Sequence, residues 1–263
     1  MKWGIEVTQI ELTKDNTYHG NLILVTPDYP LMKFPCMEDM QPAIKEQPEI
    51  QMNEQAANLL QLILAKIHCK NEIVAVSGFR TQEEQEKIWN DTLAESGLDF
   101  TKKYVAVPRH SEHQTGLAID LAENKEQIDF ICPHFPYTGI CGEFRATAPR
   151  FGFVERYVSG KEQITGIGAE PWHFRYVGYP HSVIMAEKGM ALEEYICFLK
   201  ETTDLRHPYI YNSSKADKIE ISYVFLDGGH SIKLDVSEMS PYMISGTNEG
   251  GAILSRWREY YAS

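Results

Sequence analysis

The sequence predicts a mixed fold in which helices and short strands build one large unit, followed by a smaller and mostly β segment. Helical and strand patterns alternate from about residue 53 to residue 200, whereas strand and turn patterns dominate after about residue 204. A chain of 263 residues can bury a full core without disulfide bridges, because the fraction of surface buried on folding rises with length. We therefore expect one domain at 1–203 and a C-terminal appendage of unknown role at 204–263.

The composition excludes several classes of protein. Acidic residues outnumber basic ones 37 to 25, which gives a net charge of −12, and nucleic acid or an anionic membrane surface requires a basic patch. No stretch approaches the roughly 18 apolar residues of a membrane-spanning helix, and the N-terminus lacks the apolar centre of a signal peptide. Five scattered cysteines are typical of reduced thiols in the cytoplasm. We expect a cytoplasmic enzyme for small substrates, with no nucleic-acid partner and no membrane anchor.

Helices are predicted wherever apolar residues recur at spacings of three and four. These segments are 53–67, 82 to about 95, 180–188, 191–200 and, more weakly, 143–151. Asn53 can cap the first helix, and Thr81 with Glu84 forms a capping box that opens the second. Prolines and glycines interrupt 27–50 and 96–115, so these segments are predicted to be loops.

Strands are predicted where short apolar or alternating runs end at turn residues. These runs are 3–12, 21–26, 73–77, 116–121, 172–177, 218–226 and 231–236. The last two flank an Asp-Gly-Gly turn at 227–229 and predict a hairpin.

The strand at 116–121 has two different faces. One face carries only large apolar side chains: Leu117, Ile119 and Leu121. The other face carries two small residues and one carboxylate: Gly116, Ala118 and Asp120. Small neighbours leave room for another group to approach the backbone beside Asp120.

Three residues have the chemistry of a catalytic zinc site. Catalytic zinc takes three protein ligands among His, Asp and Glu and leaves one position open. His113 lies at the entrance of the strand that carries Asp120, and His173 lies on a second predicted strand. His110 forms an H-x-x-H pair with His113 and is an alternative ligand.

Two further residues suit hydrolysis beside such a metal. Glu170 precedes His173 by three positions, and Pro171 places it on a turn rather than inside a helix. A carboxylate beside the metal is what a general base for water requires. Arg80 supplies a fixed cation where negative charge develops on a carbonyl oxygen. Each residue alone has an ordinary structural interpretation, but their joint occurrence in this order favours an enzyme.

The chain carries three motifs of a known family: S-G-F-R at 77–80, S-E-H-Q-T-G-L-A-I-D at 111–120 and E-P-W-H at 170–173. They resemble the zinc D-Ala-D-Ala carboxypeptidases of the VanY type, the related VanX dipeptidases and the bifunctional VanXY enzymes. The resemblance covers about residues 20 to 200, and a chain without a leader is most similar to the VanXY type. It implies an α+β domain with a small central antiparallel sheet flanked by helices, as in hedgehog-type domains and some phage endolysins.

The resemblance also implies catalytic roles. One zinc ion per chain is expected on His113, Asp120 and His173. Glu170 is expected to activate water at the metal and to pass its proton to the leaving amine. Arg80 is expected to stabilise the tetrahedral oxyanion.

Three other residues are expected to contact the substrate. By the resemblance, Ser111 helps to hold the C-terminal carboxylate of the substrate. Gln85, one helical turn after Arg80, and Trp172, beside a metal ligand, are candidates for the pocket wall. The partner of a dipeptide's free ammonium group is left open among three acidic residues: Asp129, Glu143 and Glu155.

The expected function is hydrolysis of D-Ala-D-Ala, in the free dipeptide, at the end of the muramyl pentapeptide precursor, or in both. The implied setting is glycopeptide (vancomycin) resistance and peptidoglycan precursor metabolism. Two alternatives stay open. A peptidoglycan endopeptidase on the same fold is disfavoured by the acidic charge, and a non-catalytic zinc-containing binding module is disfavoured by the presence of Glu170 and Arg80.

Overall fold

The computed structural model describes residues 7–212, 217–226, 231–237 and 240–259. The described residues form two compact units: one is Val25–Glu193, and the other combines the described parts of Met1–Leu24 and Glu194–Ser263. This grouping differs from the predicted segments 1–203 and 204–263, because the N-terminal strand pairs with a strand of the C-terminal segment. Among the described residues, no helix combines the length and the apolarity needed to cross a membrane.

The described elements alternate between strands and helices and then become β. In chain order the strands are β1 (Val7–Leu12), β2 (Met40–Ile44), β3 (Gln47–Asn53), β4 (Ile73–Ser77), β5 (Ala118–Glu123), β6 (Phe153–Tyr157), β7 (Glu170–Tyr176), β8 (Tyr209–Asn212), β9 (Asp217–Phe225), β10 (Ile232–Ser237), β11 (Tyr242–Gly246) and β12 (Gly251–Glu259). The α-helices are α1 (Glu54–Lys66), α2 (Gln82–Tyr104), α3 (Gly139–Thr147), α4 (Glu162–Thr165), α5 (His181–Lys188) and α6 (Leu192–Thr202).

The unit Val25–Glu193 is organised around a four-stranded antiparallel sheet in the order β4-β5-β7-β6. The other unit contains the antiparallel sheet β11-β12-β9-β8 and the pair β1-β10. The predicted α+β class, with a small central antiparallel sheet and a mostly β C-terminal segment, is confirmed.

Local capping fixes the starts of the two helices that precede and follow β4. The Asn53 side chain accepts hydrogen bonds from the backbone N–H groups of Gln55 and Ala56, at 3.1 and 3.4 Å. Thr81 and Glu84 form the predicted capping box at the start of α2. Both helix starts are therefore confirmed at the predicted residues.

Helix α2 is longer than predicted. Gly97 interrupts it with a φ of +79°, a left-handed conformation that glycine adopts without steric cost. The chain becomes helical again beyond this kink and continues to Tyr104. The predicted end near residue 95 marks the kink, and the prediction of loop immediately after it was wrong.

The strand predictions failed where pairing rather than local pattern decides the structure. The predicted loop at 27–50 contains the strand β2 and most of β3, and Pro42 is accommodated next to a bulge in this pair. The two strands of the predicted C-terminal hairpin exist, but β9 pairs with β12 and β8, and β10 pairs with β1. The predicted turn at 227–229 lies outside the described residues.

Alternation along β5 and β7 gives the central sheet two buried faces. One face contributes Ile119, Leu121 and Phe174 to an apolar core that also contains the buried side of α1. The other face buries Asp120 and His173, with the polar groups described below. The predicted difference between the faces of this strand is confirmed.

Candidate active site

The three predicted metal ligands come from neighbouring segments of the central sheet. His113 lies in a short 3-10 turn, Glu112–Thr115, that leads into β5. Asp120 on β5 is the direct register partner of His173 on β7. Antiparallel pairing therefore brings together residues that are 53 positions apart in the chain.

The ligand atoms of these residues form a compact group. His113 Nε2 lies 3.1 Å from Asp120 Oδ2, and His173 Nδ1 lies 2.9 Å from Asp120 Oδ1. One ligand atom from each of the three residues falls within 4.8 Å of the others, and all three residues are buried. Two imidazole nitrogens and one carboxylate oxygen are a donor set that fits catalytic zinc. The alternative ligand His110 instead contacts the Thr26 carbonyl oxygen through Nδ1 at 2.6 Å.

Each histidine is held through the nitrogen that faces away from Asp120. His113 Nδ1 lies 2.7 Å from the Gly78 carbonyl oxygen, and His173 Nε2 lies 3.3 Å from Glu112 Oε2. Metal-binding histidines commonly donate their second ring N–H to such an acceptor. Gly78 cannot carry a side chain here, because an added Cβ would lie 2.2 Å from the Gln51 carbonyl oxygen.

Glu170 lies at the edge of this group, at the start of β7. Its Oε2 is 3.8 Å from His173 Nδ1, and its side chain is 18% exposed. Burial raises the pKa of Glu170 to about 7, and the neighbouring carboxylate of Asp120 acts in the same direction against the attraction of His173 and Arg80. A carboxyl group with such a pKa can both accept and return a proton near neutral pH.

Arg80 is fixed between β4 and the start of α2. Its Nε and Nη2 atoms donate to Ser77 Oγ at 3.1 and 2.8 Å, and its Nη1 donates to Gln85 Oε1 at 3.3 Å. Nη2 also lies 3.7 Å from Asp120 Oδ2. The guanidinium group is therefore held beside the predicted metal ligands in one orientation.

Of the three residues predicted to contact the substrate, two line a cavity and one does not. Ser111 and Trp172 line a cavity of about 160 Å³ that also includes Arg80 and Glu170. Gln85 is fully buried and is not among the residues that line this cavity. Its side chain contacts Arg80 and donates to the Ala106 carbonyl oxygen at 2.8 Å. Gln85 thus supports Arg80 rather than forming the pocket wall.

The three acidic residues considered for an ammonium group lie elsewhere in the described structure, and none of them lines this cavity. Asp129 accepts hydrogen bonds from the backbone N–H groups of Ile131 and Cys132, at 2.8 and 3.0 Å. Glu155 accepts from Tyr137 Oη at 2.6 Å. Glu143 lies on α3. Helical or loop position alone does not say which side chains face a cavity, so the sequence offered no basis for choosing among them.

Sequence reasoning missed a buried charge network behind His173. Glu112 Oε1 lies 2.8 Å from Arg156 Nε and 2.9 Å from Arg175 Nη1. Arg156 in turn donates to both carboxylate oxygens of Glu193, at 2.9 and 2.6 Å. Burial opposes ionisation of Glu112, but the two guanidinium groups hold its pKa well below its usual range. Two features of the sequence could have indicated this network: Glu112 lies inside the second motif, and Arg175 shares a strand face with His173.

The chain is similar to known proteins over most of its length. A family model described as VanY, D-alanyl-D-alanine carboxypeptidase, matches residues 49–179. The chain is 38% identical over 184 residues to the bifunctional D-Ala-D-Ala dipeptidase and carboxypeptidase VanXYC of Enterococcus gallinarum, covering 70% of this chain and 97% of that protein.

Two solved structures are similar to the fold described above. The vancomycin-resistance D,D-dipeptidase VanXYg, in complex with a D-Ala-D-Ala phosphinate analogue, matches with a TM-score of 0.92 and 49% identity, over 96% of this chain and 100% of that chain. A variant of the D,D-pentapeptidase VanY from the VanB-type resistance cassette, in complex with Zn(II), matches with a TM-score of 0.52 and 29% identity, over 67% of this chain and 98% of that chain.

Proposed function

Since the chain belongs to the D-alanyl-D-alanine carboxypeptidase family typified by VanY, we propose that it is a zinc-dependent D,D-peptidase that hydrolyses D-Ala-D-Ala. The observation that carries this proposal is the convergence of His113, Asp120 and His173 on one buried group, with Glu170 and Arg80 at its edge. A base and a fixed cation beside a metal-binding triad are the requirements of metal-assisted peptide hydrolysis.

One zinc ion per chain is held by His113, Asp120 and His173. The donor set fits this metal, and a VanY relative has been solved with Zn(II). When bound, the zinc ion supplies Lewis acidity toward the scissile carbonyl group and the attacking water.

Glu170 acts as the general base and then as the general acid. Its carboxylate takes a proton from the attacking water and delivers that proton to the nitrogen of the departing D-alanine. Its position beside His173, at 3.8 Å, keeps it near the metal-binding group without making it one of the three ligands. A pKa of about 7 suits both transfers at neutral pH.

Arg80 stabilises the negative charge that develops on the carbonyl oxygen. A preorganised cation costs no reorganisation during the reaction, and the contacts with Ser77 and Gln85 provide this preorganisation. Ser111 binds the C-terminal carboxylate of the substrate, and Trp172 forms part of the cavity wall.

The substrates are both the free dipeptide and the D-Ala-D-Ala end of the muramyl pentapeptide precursor. This assignment follows from the similarity to VanXYC, which is named as bifunctional, and to VanXYg, which is named as a D,D-dipeptidase. Removal of the terminal D-alanine from precursors that end in D-Ala-D-Ala gives the enzyme a role in vancomycin resistance. We place this activity in the cytoplasm, because the five cysteines are all free thiols.

The direct test is release of D-alanine by the zinc-loaded full chain. Three substrates are compared: D-Ala-D-Ala, the UDP-linked muramyl pentapeptide, and L-Ala-D-Ala as a stereochemical control. Glu170→Ala at equal zinc content serves as the blank. We expect release from the first two substrates and little from the third. Absence of release from both D,D substrates, with zinc bound, would contradict the proposed function, and lysis of purified cell walls under the same conditions would favour an endopeptidase.

A further inference from the structure

Four side chains are linked in a row beside the proposed zinc site: Glu193, Arg156, Glu112 and His173. The last three are buried, and the Glu193 side chain is 16% exposed. Arg156 bridges the two glutamates, with contacts of 2.8 Å to Glu112 and 2.6 Å to Glu193. Glu112 then lies 3.3 Å from His173 Nε2. The Glu112 side chain is fully buried and that of Arg156 is 1% exposed, so this arrangement is not a surface ion pair. None of the steps assigned above uses Glu112, Arg156 or Glu193.

Glu112 and Asp120 contact opposite nitrogens of the same imidazole ring. Asp120 Oδ1 lies 2.9 Å from His173 Nδ1, and Glu112 Oε2 lies 3.3 Å from Nε2. A histidine that binds a metal offers a lone pair from one nitrogen and carries its hydrogen on the other. The group on the far side of the ring therefore decides which nitrogen faces the metal.

The surroundings of Glu112 make its carboxylate an acceptor on that far side. Arg156 and Arg175 both approach Oε1, at 2.8 and 2.9 Å, which leaves Oε2 to His173. An ionised carboxylate accepts hydrogen bonds and donates none. The imidazole must then supply the hydrogen of this contact from Nε2.

We propose that Glu112 is a positioning residue for His173: it accepts the Nε2 hydrogen, fixes the ring orientation and leaves Nδ1 as the metal-binding atom. Arg156 holds Glu112 in place and connects it to Glu193 at the start of α6. This inference rests on the zinc site of the proposed function and adds a determinant of zinc affinity to it.

The other histidine shows the same arrangement with a different acceptor. His113 directs Nδ1 to the Gly78 carbonyl oxygen at 2.7 Å and Nε2 to Asp120 at 3.1 Å. A carbonyl oxygen also accepts only, so His113 offers Nε2 to the metal. The two histidines thus present opposite ring nitrogens, and only the acceptor of His173 is a charged side chain.

Two matched variants separate positioning from general loss of charge. Glu112→Gln and Glu193→Gln are the same chemical change on two partners of Arg156, but only Glu112 contacts His173. Removal of a group that holds a metal ligand typically lowers affinity by about 10–100-fold. In the full chain we expect Glu112→Gln to raise the zinc Kd by this factor, measured by competition with a chelator, and Glu193→Gln to leave the Kd unchanged.

A second measurement uses the wild-type chain and needs no substitution. A correlation spectrum of the ¹⁵N-labelled imidazoles in the zinc-loaded protein reports which ring nitrogen carries hydrogen. We expect His173 to carry it on Nε2 and His113 on Nδ1. The positioning role requires this pattern, so a hydrogen on Nδ1 of zinc-loaded His173 would overturn that role even where Glu112→Gln fails to fold.

The outcomes separate this inference from the function on which it rests. An unchanged zinc Kd in folded Glu112→Gln, an equal loss in both variants, or a hydrogen on Nδ1 of zinc-loaded His173 would each overturn the positioning role. If any of these occurs while the wild-type enzyme binds zinc and releases D-alanine, the proposed function stands without it. A wild-type chain that binds no zinc would overturn both.

Discussion

The two faces of the central sheet are built from alternate residues of the same strands, yet they bury opposite chemistry. On β7, Phe174 is 1% exposed in the apolar core, whereas its neighbour His173 is 3% exposed among carboxylates. On β5, Ile119 and Asp120 are buried on opposite sides in the same way. Burial therefore does not distinguish the faces; the presence of specific polar partners does.

The two faces therefore have different roles: we expect the apolar face to stabilise the fold and the polar face to bind zinc. The apolar face is stabilised by removal of surface from water, which is non-directional. On the polar face every buried charge costs desolvation, and only paired geometry offsets that cost. We expect substitutions on the apolar face to lower the free energy of unfolding and those on the polar face to change zinc affinity and turnover.

The largest effect is expected for His173→Ala. This change removes one of the three proposed zinc ligands, so the variant should retain no zinc after gel filtration and release no D-alanine. Metal analysis and the turnover assay measure this directly. Stoichiometric zinc in folded His173→Ala would show that the residue is not a ligand.

Glu170→Ala should lower the catalytic rate without changing the zinc content, although Glu170 lies on the same polar face. Loss of a general acid–base group typically costs about 10²–10⁴-fold in rate, whereas the three ligand groups stay intact. We expect kcat for D-Ala-D-Ala to fall by this factor at unchanged zinc content. Turnover near the wild-type rate would remove Glu170 from the proposed mechanism.

Phe174→Ala tests the apolar face of the sheet, at the residue that follows His173. Truncating a buried phenylalanine typically costs about 3–5 kcal/mol, and Phe174 packs against the rings of Phe135 and Phe144. We expect denaturant titration to show this loss in the zinc-free protein. Under conditions where the variant is folded, its zinc Kd should match that of wild type; a Kd as weak as that of His173→Ala would contradict the separation of the two faces.

Ile119→Val is the mildest change in this series. It deletes one buried methylene beside Asp120 without changing the polar face, and such changes typically cost about 0.5–1.5 kcal/mol. Unfolding midpoints should shift by a correspondingly small amount, with kcat and KM unchanged. A change in kcat comparable to that of Glu170→Ala would indicate that packing on the apolar face positions the ligands.

The sequence alone was sufficient to predict the two faces of the strand and the three residues, His113, Asp120 and His173, that the structure brings together in one buried group. A period of two along a strand places Asp120 opposite Ile119 whatever the strand pairs with, and the three motifs marked His113, His173, Glu170 and Arg80. The capped starts of α1 and α2 are equally local features.

The features that could not be predicted depend on which elements become neighbours. The network of Glu112, Arg156 and Arg175 requires β6 to lie beside β7, and β6 carries no distinctive pattern of its own. Helical spacing predicted that Gln85 lies near Arg80. It did not predict that the Gln85 side chain is fully buried and contacts Arg80 instead of lining the cavity. The β9 and β10 strands were recognisable, whereas their partners β12 and β1 lie far away in the chain.

The zinc dependence of the proposed activity is tested by titrating the metal-free wild-type chain with zinc and measuring D-alanine release from D-Ala-D-Ala. We expect no release without zinc, and a rate that rises in proportion to added zinc until one equivalent per chain is reached. Release by the metal-free protein, or no release at one bound equivalent, would contradict the claim that the polar face of the sheet is a zinc D,D-peptidase site.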